Sequence, residues 1–358
     1  MTSEERKEIR YQRRKAKRDR KVLERSRKYG NLEQAFCFHK VMYYGDKCTK
    51  GVGFKKSTQY FKLHMFTIVA TTCKNIKSNC YKVGNTYQFT IHERGKVRII
   101  DAPHIKDRLV HKVIANEILS PIYYPHFIYD NGASIRNKGF HFAMKRVHTK
   151  LYSWYLKNGL EGYAVTIDFS KFFPNCSHEA IKKIHTKYIF NSHTIKVIED
   201  YLFIKEGLPL GCEIAQKEAL MLPNQLDHFI ANQYPIVRFM DDSIFLINTK
   251  EEGKIILNHY QKLAEKLGII MNLKKTKIIR IEKFILFCKW NYVVLNSGKV
   301  LMIPVRDTIY RQRTKINKMK QKNIDKIEIL QTKTCFQSYL DLGNTYYHQK
   351  YLNQLLSK

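Results

Sequence analysis

Two adjacent aspartates interrupt an apolar run in the segment RFMDDSIFL, residues 238–246. The flanking residues, IVRF before and SIFLI after, are the β-branched and aromatic types that strands favour, so the segment predicts a β-hairpin with Asp241 and Asp242 at its turn. Charges in such apolar surroundings are costly unless a positive partner meets them. The pair therefore limits the chain to folds that bring something cationic to the tip of this hairpin.

A third aspartate, Asp168, ends a separate strand-like run, AVTIDFSKFFP. Two strands that present carboxylates at neighbouring ends make an oxygen-rich site of the kind that Mg²⁺ prefers. A metal pair held about 3.5–4 Å apart can clamp the attacking and leaving oxygens of an in-line displacement. An isolated Asp-Asp pair is more often ordinary turn chemistry, so the choice between these interpretations depends on the rest of the chain.

Charge narrows the class of partner. The 358 residues include 64 Lys and Arg against 31 Asp and Glu, a formal charge of +33, while 44% hydrophobic content is typical of a folded protein. Such an excess predicts a polyanionic partner, with nucleic acid favoured over an anionic membrane surface. No apolar run approaches the roughly 20 residues needed to span a bilayer, and the start of the chain lacks a secretory signal. We therefore expect a cytoplasmic protein with reduced cysteines and no membrane partner.

The order of elements predicts an α+β fold. Residues 1–30 are dense in charge and helix formers, which indicates a solvated basic helix or arm. From Glu161 onward, short strand-like runs alternate with helical stretches, which indicates an antiparallel sheet backed by helices. Beyond Pro304 the chain turns helical and basic again.

Several blocks in a fixed order carry a resemblance to a known family. Asp168 is followed by FSKFF, then come GLPLG at the start of a helix, FMDD, and GIIMNLKKTKI. In this order and spacing the chain resembles a reverse transcriptase, and within that family the bacterial retroelement enzymes, including the diversity-generating and antiviral-defence groups. The resemblance implies a right-hand polymerase. It divides the chain into a basic arm (1–30), fingers (31–160), a palm with finger-derived insertions (161–303) and a short helical thumb (304–358).

The resemblance also implies the catalytic groups. Asp168, Asp241 and Asp242 match the family's catalytic carboxylates, and with the backbone carbonyl of Phe169 they would hold two Mg²⁺ ions, with Mn²⁺ as the alternative metal. Lys275 matches a lysine that would donate a proton to the departing pyrophosphate. Lys274 and Lys277 stay open as substitutes for that role, because a lysine run is commonly a solvated face.

Five further residues are predicted to contact the incoming nucleotide. Lys96 and Arg98 lie two apart on a strand-like run and so project from one face, where they could hold a triphosphate or could be ordinary exposed charges. Phe173 matches the position whose bulky side chain blocks a ribose 2′-hydroxyl, which predicts deoxynucleotide substrates. Leu210 stands where many reverse transcriptases have a glutamine, and Gln216 ends the same block.

The sequence thus predicts an RNA-directed DNA polymerase, a nucleotidyltransferase that adds dNTPs to a primer 3′ end. Its partners would be an RNA template, including a dedicated noncoding RNA, and the DNA product, while an accessory protein or a homo-oligomer stays open. Two alternatives remain at this point: a template-limited polymerase that makes repeat DNA for antiviral defence, and a catalytically idle RNA-binding protein on a polymerase fold. Phe239 replaces the family's usual tyrosine, and LFCK, residues 286–289, replaces a more usual Leu-Gly.

Overall fold

A computed structural model describes residues 1–93 and 95–357, without the side chains of Glu93, Lys96 and residues 355–357. The chain forms two compact units, each assembled from three separated segments. The first unit comprises Met1–Phe127, Lys171–Gln225 and Ala264–Ile270, and the second comprises Ile128–Ser170, Leu226–Leu263 and Met271–Lys358.

Helices and strands alternate along the described chain. The helices are α1 (Ser3–Tyr29), α2 (Leu32–Ala35), α3 (Phe38–Thr49), α4 (Lys56–Leu63), α5 (Met65–Lys77), α6 (Ile105–Val113), α7 (Ser120–Tyr123), α8 (Phe140–Asn158), α9 (Phe172–Asn175), α10 (His178–Tyr188), α11 (Ser192–Leu202), α12 (Glu213–Met221), α13 (Asn224–Ala231), α14 (Lys250–Glu265), α15 (Arg306–Gln321), α16 (Lys326–Leu340) and α17 (Tyr346–Ser357). A π-helical turn, Ile114–Leu119, joins α6 to α7, and a 3₁₀ turn, Tyr124–His126, follows α7. The strands are β1 (Tyr87–Glu93), β2 (Lys96–Ala102), β3 (Tyr163–Ile167), β4 (Ile236–Phe239), β5 (Asp242–Ile247), β6 (Lys277–Arg280), β7 (Ile285–Phe287), β8 (Trp290–Val294) and β9 (Val300–Pro304).

The basic N-terminal segment is a long helix, as predicted. Thr2 caps α1 by accepting a hydrogen bond from the Glu5 amide, and the Glu5 side chain accepts one from the Thr2 amide. Residues 1–21 are exposed all round. At the other end, Ser26 Oγ accepts a hydrogen bond from the Phe190 amide at 2.8 Å. The helix is therefore anchored by its last turns alone, and its first five turns stand in solvent.

In the first unit, β1 and β2 form an antiparallel hairpin in which Tyr87 pairs with Ala102. The hairpin is anchored at its base, where the Asp101 amide donates to the Leu210 carbonyl at 2.7 Å. The Asp101 carboxylate also binds Lys205 and the Gln88 side chain. These bonds fix the end of β2 against the loop that precedes α12.

A buried histidine lies on α6. The His111 ring meets the Tyr201 ring edge-on at 4.5 Å between centroids, and its Nε2 atom is 3.9 Å from Cys212 Sγ. Burial, and then the charge of Arg108, lowers the pKa of His111 to about 3. The imidazole is thus a neutral part of the core of the first unit.

In the second unit a four-stranded antiparallel sheet has the order β4-β5-β3-β6. β3 lies inside the sheet, and four of its five residues are buried. Helix α8 packs on one face through a core that includes Trp154, Val237 and Leu246. Ile247 points instead toward Gly253 of α14. The predicted α+β class and the predicted hairpin around Asp241 are both confirmed.

The rest of the second unit is a three-stranded sheet, β7-β8-β9, followed by three helices. Buried apolar residues of α15, α16 and α17 form a small core of their own around Ile316 and Leu340. The Asn344 amide donates to the Met302 carbonyl at 2.8 Å, which ties the α16–α17 connection to β9. Among the described residues, no helix combines the length and the apolar character required to cross a bilayer. The eight cysteines are free thiols.

Candidate active site

Strand register brings the three predicted aspartates to one edge of the four-stranded sheet. In the β3–β5 pair, Ile167 lies opposite Ser243, so Asp168 leaves β3 beside the start of β5. In the β4–β5 hairpin, Phe239 lies opposite Asp242, which leaves Met240 and Asp241 as a two-residue turn. The three carboxylates therefore meet at the end of two hydrogen-bonded strand pairs, as the sequence predicted for strand-end aspartates.

The turn that carries the aspartates is conformationally strained. Met240 has φ +54, a value that glycine adopts freely and other residues adopt at a cost of about 1–3 kcal/mol. A two-residue hairpin with positive φ at its first turn residue has the type II′ pattern, which favours glycine there. Tertiary contacts must hold Met240 in place, and the structure shows which contacts do so.

A buried guanidinium supports this turn. Arg238, on β4, is fully buried and donates to the Met240 carbonyl at 3.1 Å through Nη1. Its Nε pairs with Asp227, which is also fully buried, and its Nη2 donates to Tyr260 Oη at 2.8 Å. The guanidinium also lies 5.1 Å from the centre of the Phe169 ring. One side chain therefore links α13, α14 and the residue after Asp168 to the β4–β5 hairpin.

Burial and mutual repulsion shape the electrostatics of the carboxylates. Burial first, and then the charges of Asp241 and Asp168, raise the pKa of Asp242 to about 7. Burial also raises the pKa of Asp241, and the charge of Asp168 adds to this increase. Asp241 and Asp242 are half-buried and Asp168 is buried. The three groups thus form a cluster of like charges that a cation would stabilise.

Two polar side chains from the segment after α14 bind Asp168. Lys275 Nζ lies 2.7 Å from Asp168 Oδ2, and Asn272 Nδ2 donates to Asp168 Oδ1 at 3.0 Å. The Asn272 amide also donates to the Asp168 carbonyl at 2.8 Å. Lys275 is thus the lysine of the NLKKTKI block that contacts a predicted catalytic carboxylate, while Lys274 is exposed and Lys277 begins β6.

The β7–β8 turn adds two residues to the site. Cys288 and Lys289 form this two-residue turn with φ +50 and +69, a type I′ pattern that ordinarily selects Asn and Gly. Burial, followed by the carboxylates of Asp242 and Asp241, raises the pKa of the Cys288 thiol above its ordinary value. The ammonium of Lys289 acts in the opposite direction on Asp242. A neutral thiol and a cation therefore lie close to Asp242.

The donor set suits a hard divalent cation. It consists of carboxylate oxygens, and the pKa values of Asp241 and Asp242 are raised by burial and by neighbouring carboxylates, a condition that a bound cation reverses. Within residues 1–93 and 95–357, no three His, Cys, Asp or Glu side chains are arranged as a ready set of metal ligands. The ammonium of Lys275 takes the positive position beside Asp168. By the chemistry of its oxygen donors the cluster fits a divalent cation.

The residues predicted to contact the nucleotide belong to the first unit. Phe173 is half-buried on α9, and its carbonyl accepts a hydrogen bond from the Leu208 amide at 2.8 Å. Leu210 is half-buried and accepts a bond from Asp101 at the base of β2, while Gln216 is exposed on α12. The remaining two residues, Lys96 and Arg98, lie on β2, and the Lys96 side chain falls outside the described residues.

Sequence reasoning did not find the buried network of Arg238, Asp227 and Tyr260. Arg238 lies three residues before Asp241 in RFMDD. A charged residue within an otherwise apolar strand was the sequence feature that pointed to a buried ion pair. Its partners were not identifiable, because they lie on two separate helices. The sequence distinguished Cys288 only as a departure from Leu-Gly.

The fold is that of a palm-type polymerase. Residues 82–309, more than half of the chain, match the family described as reverse transcriptase (RNA-dependent DNA polymerase). The chain belongs to the reverse transcriptase family. No curated protein sequence matches it.

Solved telomerase structures resemble the chain weakly. Apo telomerase from Candida tropicalis is 14% identical with a TM-score of 0.48, over 62% of this chain and 49% of that one. Telomerase from Candida albicans, in complex with a TWJ fragment of telomeric RNA, is 12% identical with a TM-score of 0.45, over 72% of this chain and 53% of that one. This chain thus spans about half the length of those proteins.

Proposed function

We propose that this chain is an active RNA-directed DNA polymerase that adds dNTPs to the 3′ end of a primer. The observation that carries the proposal is the cluster of Asp168, Asp241 and Asp242 at one edge of the palm-type sheet. Like charges are costly to keep together, and here burial and then the charges of Asp241 and Asp168 raise the pKa of Asp242. A catalytic metal site explains why the fold assembles all three, whereas an idle RNA-binding protein has no use for them.

We assign the metal-binding role to Asp168, Asp241, Asp242 and the carbonyl of Phe169. When bound, two Mg²⁺ ions would stabilise the negative charge on the attacking primer oxygen, on the α-phosphate and on the leaving pyrophosphate. In the reaction the primer 3′-hydroxyl attacks the α-phosphorus of the dNTP, and the bond to pyrophosphate breaks. The strained Met240 turn and its Arg238 support would keep Asp241 and Asp242 positioned.

Lys275 is assigned to the leaving group. Its ammonium already lies in the site, 2.7 Å from Asp168 Oδ2, and half of its side chain is accessible. A lysine in this position can donate a proton to the departing pyrophosphate. Protonation makes pyrophosphate a weaker base and therefore a better leaving group. Lys275→Ala should slow turnover, whereas Lys274→Ala, which changes an exposed neighbour, should not. Equal losses in the two variants would contradict the assignment.

The nucleotide contacts are assigned to the first unit. Phe173 would exclude a 2′-hydroxyl by sterics, Lys96 and Arg98 would hold the triphosphate, and Leu210 and Gln216 would border the sugar and base. We assign residues 31–160 to the fingers, 161–303 to the palm and 304–358 to the thumb.

A primer annealed to a defined RNA, with labelled dNTPs and Mg²⁺ or Mn²⁺, tests the proposal. Wild-type protein should extend the primer. Asp241→Asn and Asp168→Asn should abolish extension without unfolding, since losing one of three neighbouring charges relieves repulsion. Asp46→Asn, at an exposed aspartate of α3, is the matched control and should be fully active. Near-normal extension by either Asn variant would refute the site. Failure of wild-type protein on all primed templates would favour the RNA-binding alternative.

For the biological setting we propose a bacterial retroelement or an antiviral defence system, on the basis of the sequence blocks that resemble those enzymes. Sequencing the RNA and DNA that copurify with the protein tests this. A variable-gene template would support diversification. A dedicated noncoding RNA with a repetitive DNA product would support defence, and random cellular RNA would support neither.

A further inference from the structure

Three helices that precede the family match, together with the loop between α3 and α4, expose several large apolar side chains. Leu63 is 80% exposed, Phe54 76% and Phe66 69%. Contiguous apolar exposure on a folded element marks a binding surface. We call this region the α3–α5 surface, defined by Phe38, Tyr43, Phe54, Tyr60, Leu63 and Phe66.

One ring contact joins two of these helices, and a second lies at the end of α4. The Phe38 ring, at the start of α3, lies 6.0 Å from the Phe66 ring, at the start of α5. At the end of α4, the Tyr60 ring lies 4.4 Å from the ring of His64, which separates Leu63 from Met65 in the chain. Both α3 and α4 pack against α5. The exposed rings therefore lie on or between helices that pack together, and two of them are in contact.

The charge around the cluster has one sign. From residue 38 to residue 77 the chain contains a single acid, Asp46. Lys47 Nζ lies 5.0 Å from the centre of the Tyr43 ring, and the Lys62 ammonium lies close to Gly53. The exposed lysines of this stretch up to α5 are Lys47, Lys50, Lys55, Lys56 and Lys62.

This combination selects among partners. Lysine is depleted at the centres of protein–protein interfaces, so a protein partner would rarely face so many lysines around exposed rings. An interfacial membrane helix carries its apolar residues along one continuous amphipathic face, whereas these rings come from three short helices and the loop between α3 and α4. Aromatic rings for bases and cations for phosphates are what proteins use to bind single strands.

We propose that the α3–α5 surface binds single-stranded nucleic acid, with its rings stacking on unpaired bases and its lysines contacting phosphates. The surface lies in residues 38–66, outside the family match at 82–309. This proposal rests on the proposed function in one respect only, which is the source of the bound strand. That strand would be a part of the template or of the product that lies outside the segment being copied. The surface itself holds no residue assigned to catalysis or nucleotide binding.

Titration of the full-length protein with a uridine or a deoxythymidine homopolymer of about 15 nucleotides tests the surface, since single-strand sites commonly span about 4–16 nucleotides. Tyr60→Ala and Phe66→Ala should each weaken binding roughly 5- to 100-fold, the usual cost of losing one base–ring stack. Phe190→Ala, which removes another exposed phenylalanine of the same unit, should bind like wild type. Comparison of the two homopolymers distinguishes RNA from DNA as the strand.

Salt dependence separates the roles of rings and lysines. Lys55→Gln with Lys56→Gln should reduce the log–log salt slope by about 0.7 for each lysine–phosphate pair that the substitutions remove on a single strand. Phe66→Ala should weaken binding with an unchanged slope, because stacking releases no counterions. Wild-type affinity in both ring variants would overturn the proposal.

The two proposals can fail separately. Extension of a short primer–template hybrid at saturation should be normal in Tyr60→Ala and Phe66→Ala, with unchanged thermal unfolding. Homopolymer binding that depends on these rings would stand even if the wild-type protein extended no primer. Two further results would overturn the α3–α5 proposal: ring-dependent binding to phosphatidylserine vesicles without homopolymer binding, or a ring-dependent change in oligomeric state by sedimentation.

Discussion

Substitutions in the buried Asp227–Arg238 pair should distinguish two roles of Arg238. One role is in the stability of the second unit, and the other is in positioning Asp241 and Asp242. Asp227 and Arg238 are both fully buried and paired. Asp227→Asn keeps the shape but removes one charge, leaving the guanidinium without a counter-charge. Breaking a buried ion pair in this way costs about 3–5 kcal/mol, so we expect a loss of that size in the free energy of unfolding.

The double variant Asp227→Leu with Arg238→Met removes both charges together. Replacing a buried ion pair by apolar residues is often neutral or stabilising, so most of the stability should return. Activity should not return, because the Met240 carbonyl has lost the donor that lies 3.1 Å away. A hydrogen bond from a charged group contributes about 1.5–3 kcal/mol, which corresponds to roughly a 10- to 100-fold fall in kcat if the turn must be held in the transition state.

Urea unfolding and primer extension at saturating dNTP measure the two effects independently. The matched control is Glu179→Gln, which breaks the exposed pair with Lys183, whose side chains are 78% and 75% accessible. That change should leave both the free energy of unfolding and kcat close to their wild-type values, because solvent screens an exposed pair. A double variant that is stable and fully active would show that Arg238 does not position the catalytic turn.

Four further predictions concern substrate choice, fidelity, RNA binding and pH. Phe173→Ala should admit ribonucleotides while keeping substantial dNTP use, and surviving discrimination in single-nucleotide assays would move the gate elsewhere. Leu210→Gln should lower misincorporation by up to roughly tenfold, since a hydrogen bond worth about 0.5–1.5 kcal/mol is restored; equal error spectra in sequenced products would leave Leu210 as a packing residue. Deleting residues 1–30 should reduce the salt slope of RNA affinity by about 0.7–0.9 for each phosphate that the arm neutralises, and an unchanged slope would exclude the arm from RNA binding. The pKa of His111 is about 3 in the fold against an ordinary value of 6.5, so between these values the unfolded chain alone takes up the proton. Below pH 6.5 the free energy of unfolding should therefore fall by about 1.4 kcal/mol per pH unit relative to His111→Leu, and parallel urea-unfolding profiles would contradict the pKa.

The sequence predicted what depends on local pattern. Strand-like runs ending in Asp168 and surrounding Asp241 and Asp242 were recognisable from residue type alone, and antiparallel pairing then brings their ends together. Helix α1 was equally predictable, because its charges, helix formers and terminal Gly30 act within a few residues.

What the sequence missed depends on contacts between distant segments. Tyr260 reaches Arg238 from α14, and no periodic pattern relates the two residues. The Cys288–Lys289 turn was hidden for another reason: local propensity argues against two non-glycine residues with positive φ, and β7 and β8 impose that conformation on them. Tertiary structure overrides local preference at both places.

The division of each unit into three separated segments affects how the chain can fold as it is made. Helix α6 packs against α3 and α4, which precede it, and also against α12, about 100 residues further along, so the part of its surface that α12 covers stays exposed on a growing chain until α12 has left the ribosome. At about 5–20 residues per second, that interval lasts roughly 5–20 s. The first unit also includes Ala264–Ile270, so it is complete only after that segment has been made. Production of this protein should therefore respond to chaperone supply and to translation speed more than its final stability would suggest.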